Sequence, residues 1–100
     1  MTKKEKRSLV NRAVAGESKR ARVLSSKVHA WAERPFREVK SSRAIADYLD
    51  SRGFEVEFPF SKIPTAFRAT RGTGEPAVGM LGEYDALPNC GPEEGQWGHG

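Results

Sequence analysis

The sequence has little of what stabilises a small domain. It contains a single cysteine, Cys90, so no internal disulfide can form. Hydrophobic residues make up 37% of the 100 residues and aromatic residues 9%, which limits the core that this chain can bury by itself. Because one thiol without a disulfide framework is typical of a reducing compartment, we expect a cytoplasmic location.

Long hydrophobic runs are also absent. No segment approaches the roughly 18 consecutive apolar residues that a membrane-spanning helix needs. The N-terminal stretch MTKKEKRSLVNRAVAGESKRAR lacks the apolar centre of a signal peptide. Its lysine bias, together with Glu5 and Glu17, argues against a transit peptide. We therefore predict no membrane association.

Charge is plentiful but unevenly placed. Residues 1–43 carry 13 Lys and Arg against four Glu, whereas residues 44–100 carry four against nine acids. Such asymmetry is found in arms that bind nucleic acid and, more commonly, on solvated helix faces. Aromatic residues are not interleaved with the basic ones in the first thirty positions, which disfavours a binder of single strands. We expect no nucleic-acid partner, and a basic adaptor or nucleic-acid-binding module is the alternative to the function reached below.

Periodicity predicts two helices. Residues 17–33 place apolar side chains three or four positions apart, which is one helical stripe, and Pro35 ends the helix. Val10 and Val14 could extend the stripe upstream, but Gly16 weakens the join. Residues 38–52 form the second predicted helix, with Ser41 or Ser42 as a candidate N-cap and Gly53 in the position of a C-terminal capping glycine. The apolar stripes consist of Ala21, Leu24, Val28 and Trp31 in the first helix and Ile45, Tyr48 and Leu49 in the second.

Three strands are predicted after the helices. Residues 54–60 alternate between apolar and acidic or proline positions, which indicates a strand with one exposed face. Residues 65–70 form a second short strand. The continuous apolar run at residues 77–81 is typical of a strand covered on both faces. Two helices followed by three strands indicate the beginning of an α/β domain, and the glycine-rich loop after Leu87 leads us to expect a truncated chain.

Candidate functional residues lie where the third predicted strand ends. Glu83 and Asp85 are two positions apart, so in an extended segment they would share one face and could serve as metal-site or acid/base carboxylates. Plain surface acids give the same pattern. His99 lies between glycines that let backbone approach a ligand. Cys90 lacks a partner at metal-ligand spacing and is expected to be inert, and His29 is expected to be structural or exposed.

Two segments of the sequence resemble a known family. HAWAERPFREVKSSRAIADYLDSRGFEVEF, followed by IPTAFRATRGTGEPAVGMLGEYDALP, is similar to the start of the zinc-dependent amidohydrolases and aminoacylases. This metallopeptidase family includes carboxypeptidase G and the auxin-conjugate hydrolases. The resemblance covers about residues 23–100 and is closest to the branch of the p-aminobenzoyl-glutamate hydrolases. It implies a hydrolase segment at residues 17–100 behind a basic extension at residues 1–16.

The resemblance also implies roles for single residues. Many family members have Gly-His-x-Asp at the strand end, where the His binds zinc and the Asp steadies the metal site. Glu83 stands at the His position and is not expected to replace it as a ligand. Asp85 stands at the Asp position and would be the catalytic-site acid that shapes the metal site. His99 matches the first His of a GHGCGHN motif and would be a neighbour of the missing ligands.

For the whole protein, the resemblance implies a three-layer α/β catalytic domain of which this chain is the N-terminal piece. A divalent metal, zinc or manganese, would activate water against an amide bond of an N-acyl amino acid, a dipeptide or an aminobenzoyl-glutamate-like substrate. Homo-oligomers are implied for the full-length homologues. The 100-residue chain itself is expected to bind no metal and to be inactive.

Overall fold

The computed structural model describes residues 1–100. Two helices come first, α1 at Lys3–Trp31 and α2 at Val39–Ser51, and two short strands follow, β1 at Glu55–Glu57 and β2 at Arg68–Thr70. This order confirms a mixed α/β composition. Neither helix is long and apolar enough to cross a membrane.

The first helix continues upstream of residue 17 and includes the possible extension through Val10 and Val14. It begins after Thr2, whose side chain accepts a hydrogen bond from the Glu5 N–H at 3.1 Å, and it runs through Gly16. It ends at Trp31, where Ala32 adopts a left-handed conformation with φ of 44°. The end before Pro35 is therefore confirmed, whereas the helix starts about fourteen residues earlier than predicted.

The two halves of α1 differ in burial. Leu24, Val28 and Trp31 of the apolar stripe are half-buried, whereas Ala21 and the whole first half of the helix are exposed. The stripe thus marks the part of α1 that contacts the rest of the chain. The domain boundary at residue 16 stays a prediction.

The second helix confirms the predicted stop but not the predicted cap. Gly53 has φ of +85°, and the N–H groups of Gly53 and Phe54 donate to the carbonyls of Asp50 and Leu49, which is a Schellman motif. At the other end, Ser41 and Ser42 are buried inside the helix and do not cap it. The carboxylate of Glu33, in the corner between the helices, caps α2 instead.

The two strands form one antiparallel pair. Val56 lies opposite Ala69, flanked by the pairs Glu55 with Thr70 and Glu57 with Arg68. Exposure alternates residue by residue through positions 54–60, with the apolar side chains half-buried and Glu55 and Glu57 exposed. The predicted alternation is confirmed, although regular pairing is confined to three residues on each strand.

The predicted third strand does not form. Residues 77–81 have no regular secondary structure, and Val78, Met80 and Leu81 are 81%, 96% and 95% exposed. A strand needs a hydrogen-bonding neighbour and an apolar face needs a cover, and the segment has neither among residues 1–100. The apolar pattern therefore indicates that the segment could be buried as a strand of a larger sheet. It does not predict the exposed, irregular conformation that the segment has in this chain.

The core is small and made of small side chains. Six residues are buried: Ser41, Ser42, Ala46, Thr65, Ala86 and Gly98. The loop at residues 87–100 is held by a reciprocal pair of backbone hydrogen bonds between Leu87 and Gly98, at 2.8 and 3.0 Å. A Cβ at Gly98 would lie 2.4 Å from the Cys90 carbonyl oxygen, so this close approach requires glycine.

Candidate active site

An open groove of about 490 Å³ lies where the two helices meet the C-terminal third of the chain. We call it the histidine groove. Leu24, Val28 and Ile45 give it an apolar floor, because the stripes of α1 and α2 face each other there. Polar side chains from three separate parts of the sequence surround this floor: His29, Tyr48, Glu83, Tyr84 and His99.

Two histidines from distant parts of the chain face each other in the groove. The ring centroids of His29 and His99 are 6.1 Å apart. The Nε2 atom of His29 lies 3.0 Å from the carbonyl oxygen of Gly100, and because a carbonyl only accepts, Nε2 carries the proton of this hydrogen bond. The Nε2 atom of His99 is buried without a hydrogen-bond partner. The groove therefore contains one imidazole whose Nε2 atom is hydrogen-bonded and one whose Nε2 atom has no partner.

Tyr84 fixes the segment that carries the predicted acids. Its hydroxyl donates a hydrogen bond to the carbonyl of Thr65, and its ring stacks on Phe67 with centroids 6.3 Å apart. Burial raises the pKa of Tyr84, and the negative charge of Glu38 raises it further. The hydroxyl is therefore held in its protonated form as a donor, which ties residues 83–85 to the segment that precedes β2.

Glu33 fixes the same segment from the side of the helices. Its backbone carbonyl accepts from the N–H of Ala86 at 2.7 Å, and Ala86 is fully buried. Its carboxylate accepts from the N–H groups of Lys40 and Ser41 at 3.0 and 2.7 Å, which caps α2. One residue in the corner between the helices thus sets both the start of α2 and the position of the chain next to Asp85.

A charged cluster closes one side of the groove. The hydroxyl of Tyr48 donates to the carboxylate of Glu17, and the guanidinium of Arg52 lies 3.0 Å from that same carboxylate. These contacts, first from Tyr48 and then from Arg52, lower the pKa of Glu17, and Glu17 in turn raises the pKa of Tyr48. The cluster joins α1 to α2 beside the groove.

The predicted candidates are only partly brought together. Glu83 lines the groove and is exposed, whereas Asp85 is half-buried and does not line it. His99 lines the groove as well. Cys90 is a free, half-buried thiol in the C-terminal loop, away from the groove lining. Of the two acids, only Glu83 lines the groove, and residues 82–85 are not in a strand.

The groove does not fit a metal ion on its own. Structural and catalytic zinc sites use three or four converging protein donors. Nowhere among residues 1–100 do three or more His, Cys, Asp or Glu side chains converge in this way. In addition, His29 uses its Nε2 atom on the Gly100 carbonyl. The side chains present can exchange protons and bind polar groups, and a metal would need ligands beyond them.

Sequence reasoning misses the part played by His29. This residue is exposed, as expected, but it lines the groove through a contact with a residue 71 positions away. Its place next to the stripe residue Val28 is the available signal, because the stripe decides which face of α1 meets the rest of the chain. The capping role of Glu33 has no signal, since its hydrogen-bond donors come within reach only when the corner folds.

Comparison with curated proteins shows similarity to a hydrolase subunit. The chain is 33% identical over 86 residues to a subunit of p-aminobenzoyl-glutamate hydrolase of Escherichia coli (strain K12). The match covers 86% of this chain and 18% of that protein, so the chain spans about a fifth of the length of its curated relative. No model of a known protein family matches the chain, and no solved structure does.

Proposed function

We propose that this chain is a segment of a metal-dependent hydrolase that cleaves amide bonds in N-acyl amino acids, dipeptides or aminobenzoyl-glutamate-like compounds. The observation that carries the proposal is the 33% identity to the p-aminobenzoyl-glutamate hydrolase protein along most of this chain. That relative is by name part of a hydrolase, which favours a hydrolase over a basic adaptor as the main function. Its larger size leaves room for the parts of a three-layer catalytic domain that residues 1–100 do not contain.

In this proposal, the chain supplies the edge of the catalytic site and not its metal ligands. Asp85 is the site-shaping acid that the family resemblance implies. Its neighbours on either side, Tyr84 and Ala86, hold it in place through hydrogen bonds to Thr65 and Glu33, which supports this role. His99 is a neighbour of the ligands, and its buried Nε2 atom has no hydrogen-bond partner among residues 1–100.

A bound zinc or manganese ion would supply an activated water for attack on the amide carbonyl. The residues of this chain do not fit the ion by themselves, because no three of their donor side chains converge. Their contribution is to orient the acid and to present an apolar floor for a substrate side chain. Binding of substrate at the histidine groove would use Tyr48 and Glu83 as hydrogen-bonding groups.

We expect the 100-residue chain to be inactive because too few donors converge to hold a metal. Calorimetric titration with Zn²⁺ and Mn²⁺ should show no stoichiometric binding at micromolar concentration. Hydrolysis of p-aminobenzoyl-glutamate in the presence of either metal should equal the rate without protein. Stoichiometric metal binding accompanied by turnover would show that these residues form a complete site, and would contradict the proposed division of roles.

A further inference from the structure

Five basic residues of α1 lie on one face of the helix. At 3.6 residues per turn, Lys4, Arg7, Arg12, Lys19 and Arg22 fall within an arc of about 140°. We call this arc the basic face. All five residues are exposed. Polar residues share the face, and a shallow groove of about 380 Å³ on it is lined by Lys4, Arg7, Ser8, Asn11, Arg12 and Ala15.

The charges on the basic face are not neutralised within the molecule. The ion pairs of the protein use Arg20, Arg43, Arg52 and Arg68, so none of the five cations takes part in one. Glu17, the partner of Arg20 and Arg52, points to the opposite side of α1, and Glu5 lies at the edge of the arc. The face therefore presents five free cations along about 27 Å of helix.

Helix α2 lies on the other side of this helix. Leu24 and Val28 face α2, and Val10 and Val14 continue the same stripe upstream. Residues 3–16 of α1 are all exposed, so a long polymer can reach Lys4, Arg7 and Arg12 without meeting the rest of the protein. Beyond Arg22 the same side of the helix carries His29, which lines the histidine groove, so the accessible part of the basic face is its N-terminal part.

The chemistry of the basic face selects its partner. Guanidinium, ammonium, hydroxyl and amide groups in a row are the side chains that bind phosphate oxygens. Helix α1 has no aromatic residue before His29 and Trp31, so the face has nothing on which unpaired bases could stack. The face has no large apolar side chain to insert into lipid. We propose that the basic face binds the phosphate backbone of a nucleic-acid duplex without reading its bases.

This activity goes beyond the proposed hydrolase function and does not depend on it. The sequence alone leads us to expect no nucleic-acid partner, because a charge excess is more commonly found on a solvated helix face. The structure adds that the cations share one side, are unpaired and are accessible. With about four phosphate contacts, the affinity for a duplex should fall about 150-fold between 50 and 200 mM salt.

The test compares two triple variants of the whole 100-residue chain. Lys4→Gln, Arg12→Gln and Lys19→Gln remove three cations from the basic face. Lys3→Gln, Lys6→Gln and Lys27→Gln remove three cations from other sides of the same helix, with the same change in net charge and little change in helix propensity. Fluorescence anisotropy with labelled 20-base-pair DNA and RNA duplexes of unrelated sequence measures binding, and circular dichroism checks that both variants keep their helices.

Binding to duplexes of any sequence, with at least a tenfold loss in the face variant and less than a threefold loss in the control, would support the proposal. The slope of log affinity against log salt should also fall by about 2 to 3 in the face variant. Equal losses in the two variants would show that net charge and not the face binds. Absence of duplex binding at 50 mM salt, or stronger binding to anionic phosphatidylglycerol vesicles than to duplex, would overturn the proposal.

Discussion

At the scale of single residues, Glu33 joins the helical part of the molecule to the candidate site. Its carboxylate caps α2 through Lys40 and Ser41, and its carbonyl holds Ala86. Partial burial raises the pKa of Glu33, but the hydrogen bonds from the two N–H groups lower it by more, so the net pKa lies below the ordinary 4.5. The folded state therefore stabilises the ionised form of Glu33 relative to the unfolded chain.

Replacing Glu33 tests this role. We expect Glu33→Ala to lower the free energy of unfolding by about 1 kcal/mol at pH 7, because an N-capping acceptor is lost. Because the pKa of Glu33 is lowered in the folded state, its ionised carboxylate stabilises the fold at pH values above the ordinary pKa. This stabilisation is lost as the pH falls through the lower pKa of the folded state. The difference between variant and parent in urea unfolding should therefore shrink as the pH falls from 5 to 3.

Glu94→Ala is the matched control, since Glu94 is exposed in the C-terminal loop and makes none of the hydrogen bonds or ion pairs found in the structure. Its stability should match the parent at both ends of the pH range. A Glu33→Ala variant as stable as the parent, or a difference that does not change with pH, would contradict the capping role.

At the scale of elements, the sequence predicts what is local and fails where a partner is required. The apolar stripes predict both helices, and the placement of Gly53 before Phe54 predicts the end of α2, because these signals act within a few residues. The apolar run at residues 77–81 carries an equally clear strand pattern, but a strand forms only beside another strand. The start of α1 lacks a buried apolar stripe, but it carries a local signal in Thr2 followed three residues later by Glu5, which is the spacing of a capping box.

Two glycines should respond in opposite directions to the same substitution. Gly53→Ala should lower the free energy of unfolding by about 1 kcal/mol, because φ of +85° suits glycine and strains alanine. The added Cβ meets nothing closer than Arg71 at 3.7 Å, so the loss comes from the backbone conformation and not from a clash. Gly16→Ala should raise it by about 1 kcal/mol, because Gly16 lies in the middle of α1 with nothing within 4 Å of the added Cβ.

Thermal or urea unfolding of the two glycine variants beside the parent measures both changes. Both variants add the same methyl group, so opposite changes in the free energy of unfolding reflect the different backbone conformations of Gly53 and Gly16. Destabilisation by Gly16→Ala would show that α1 does not continue through residue 16. No effect of Gly53→Ala would show that α2 does not end in a left-handed glycine.

At the scale of the whole molecule, the candidate site is spread over elements that only the fold brings together. His29 comes from α1, Tyr48 from α2, and Glu83, Tyr84 and His99 from the irregular C-terminal third. The sequence points to Glu83, Asp85 and His99, because acids after an apolar run and a glycine-flanked histidine are local patterns. It does not predict that Glu83 lines the groove while Asp85 does not, since that depends on how the residues around Asp85 are anchored.

The exposed segment at residues 77–81 is the feature of the whole molecule that fits the proposed function best. Its apolar side chains are covered by nothing in this chain, and the curated relative is about five times as long as the matched segment. A central strand of a larger sheet would use these side chains on both faces. We therefore propose that the segment joins a sheet completed by residues outside these 100.

Replacement of the matching segment of the Escherichia coli p-aminobenzoyl-glutamate hydrolase protein by this sequence tests the central claim. The resulting chimera can carry Asp85→Asn, or Glu75→Gln as the exposed control. The measurement is kcat/KM for p-aminobenzoyl-glutamate in chimeras whose folding is verified by circular dichroism. The account predicts hydrolysis by the chimera, a loss of about 10- to 100-fold for Asp85→Asn and no loss for Glu75→Gln. A folded chimera without hydrolysis, or an Asp85→Asn chimera as active as its parent, would contradict it.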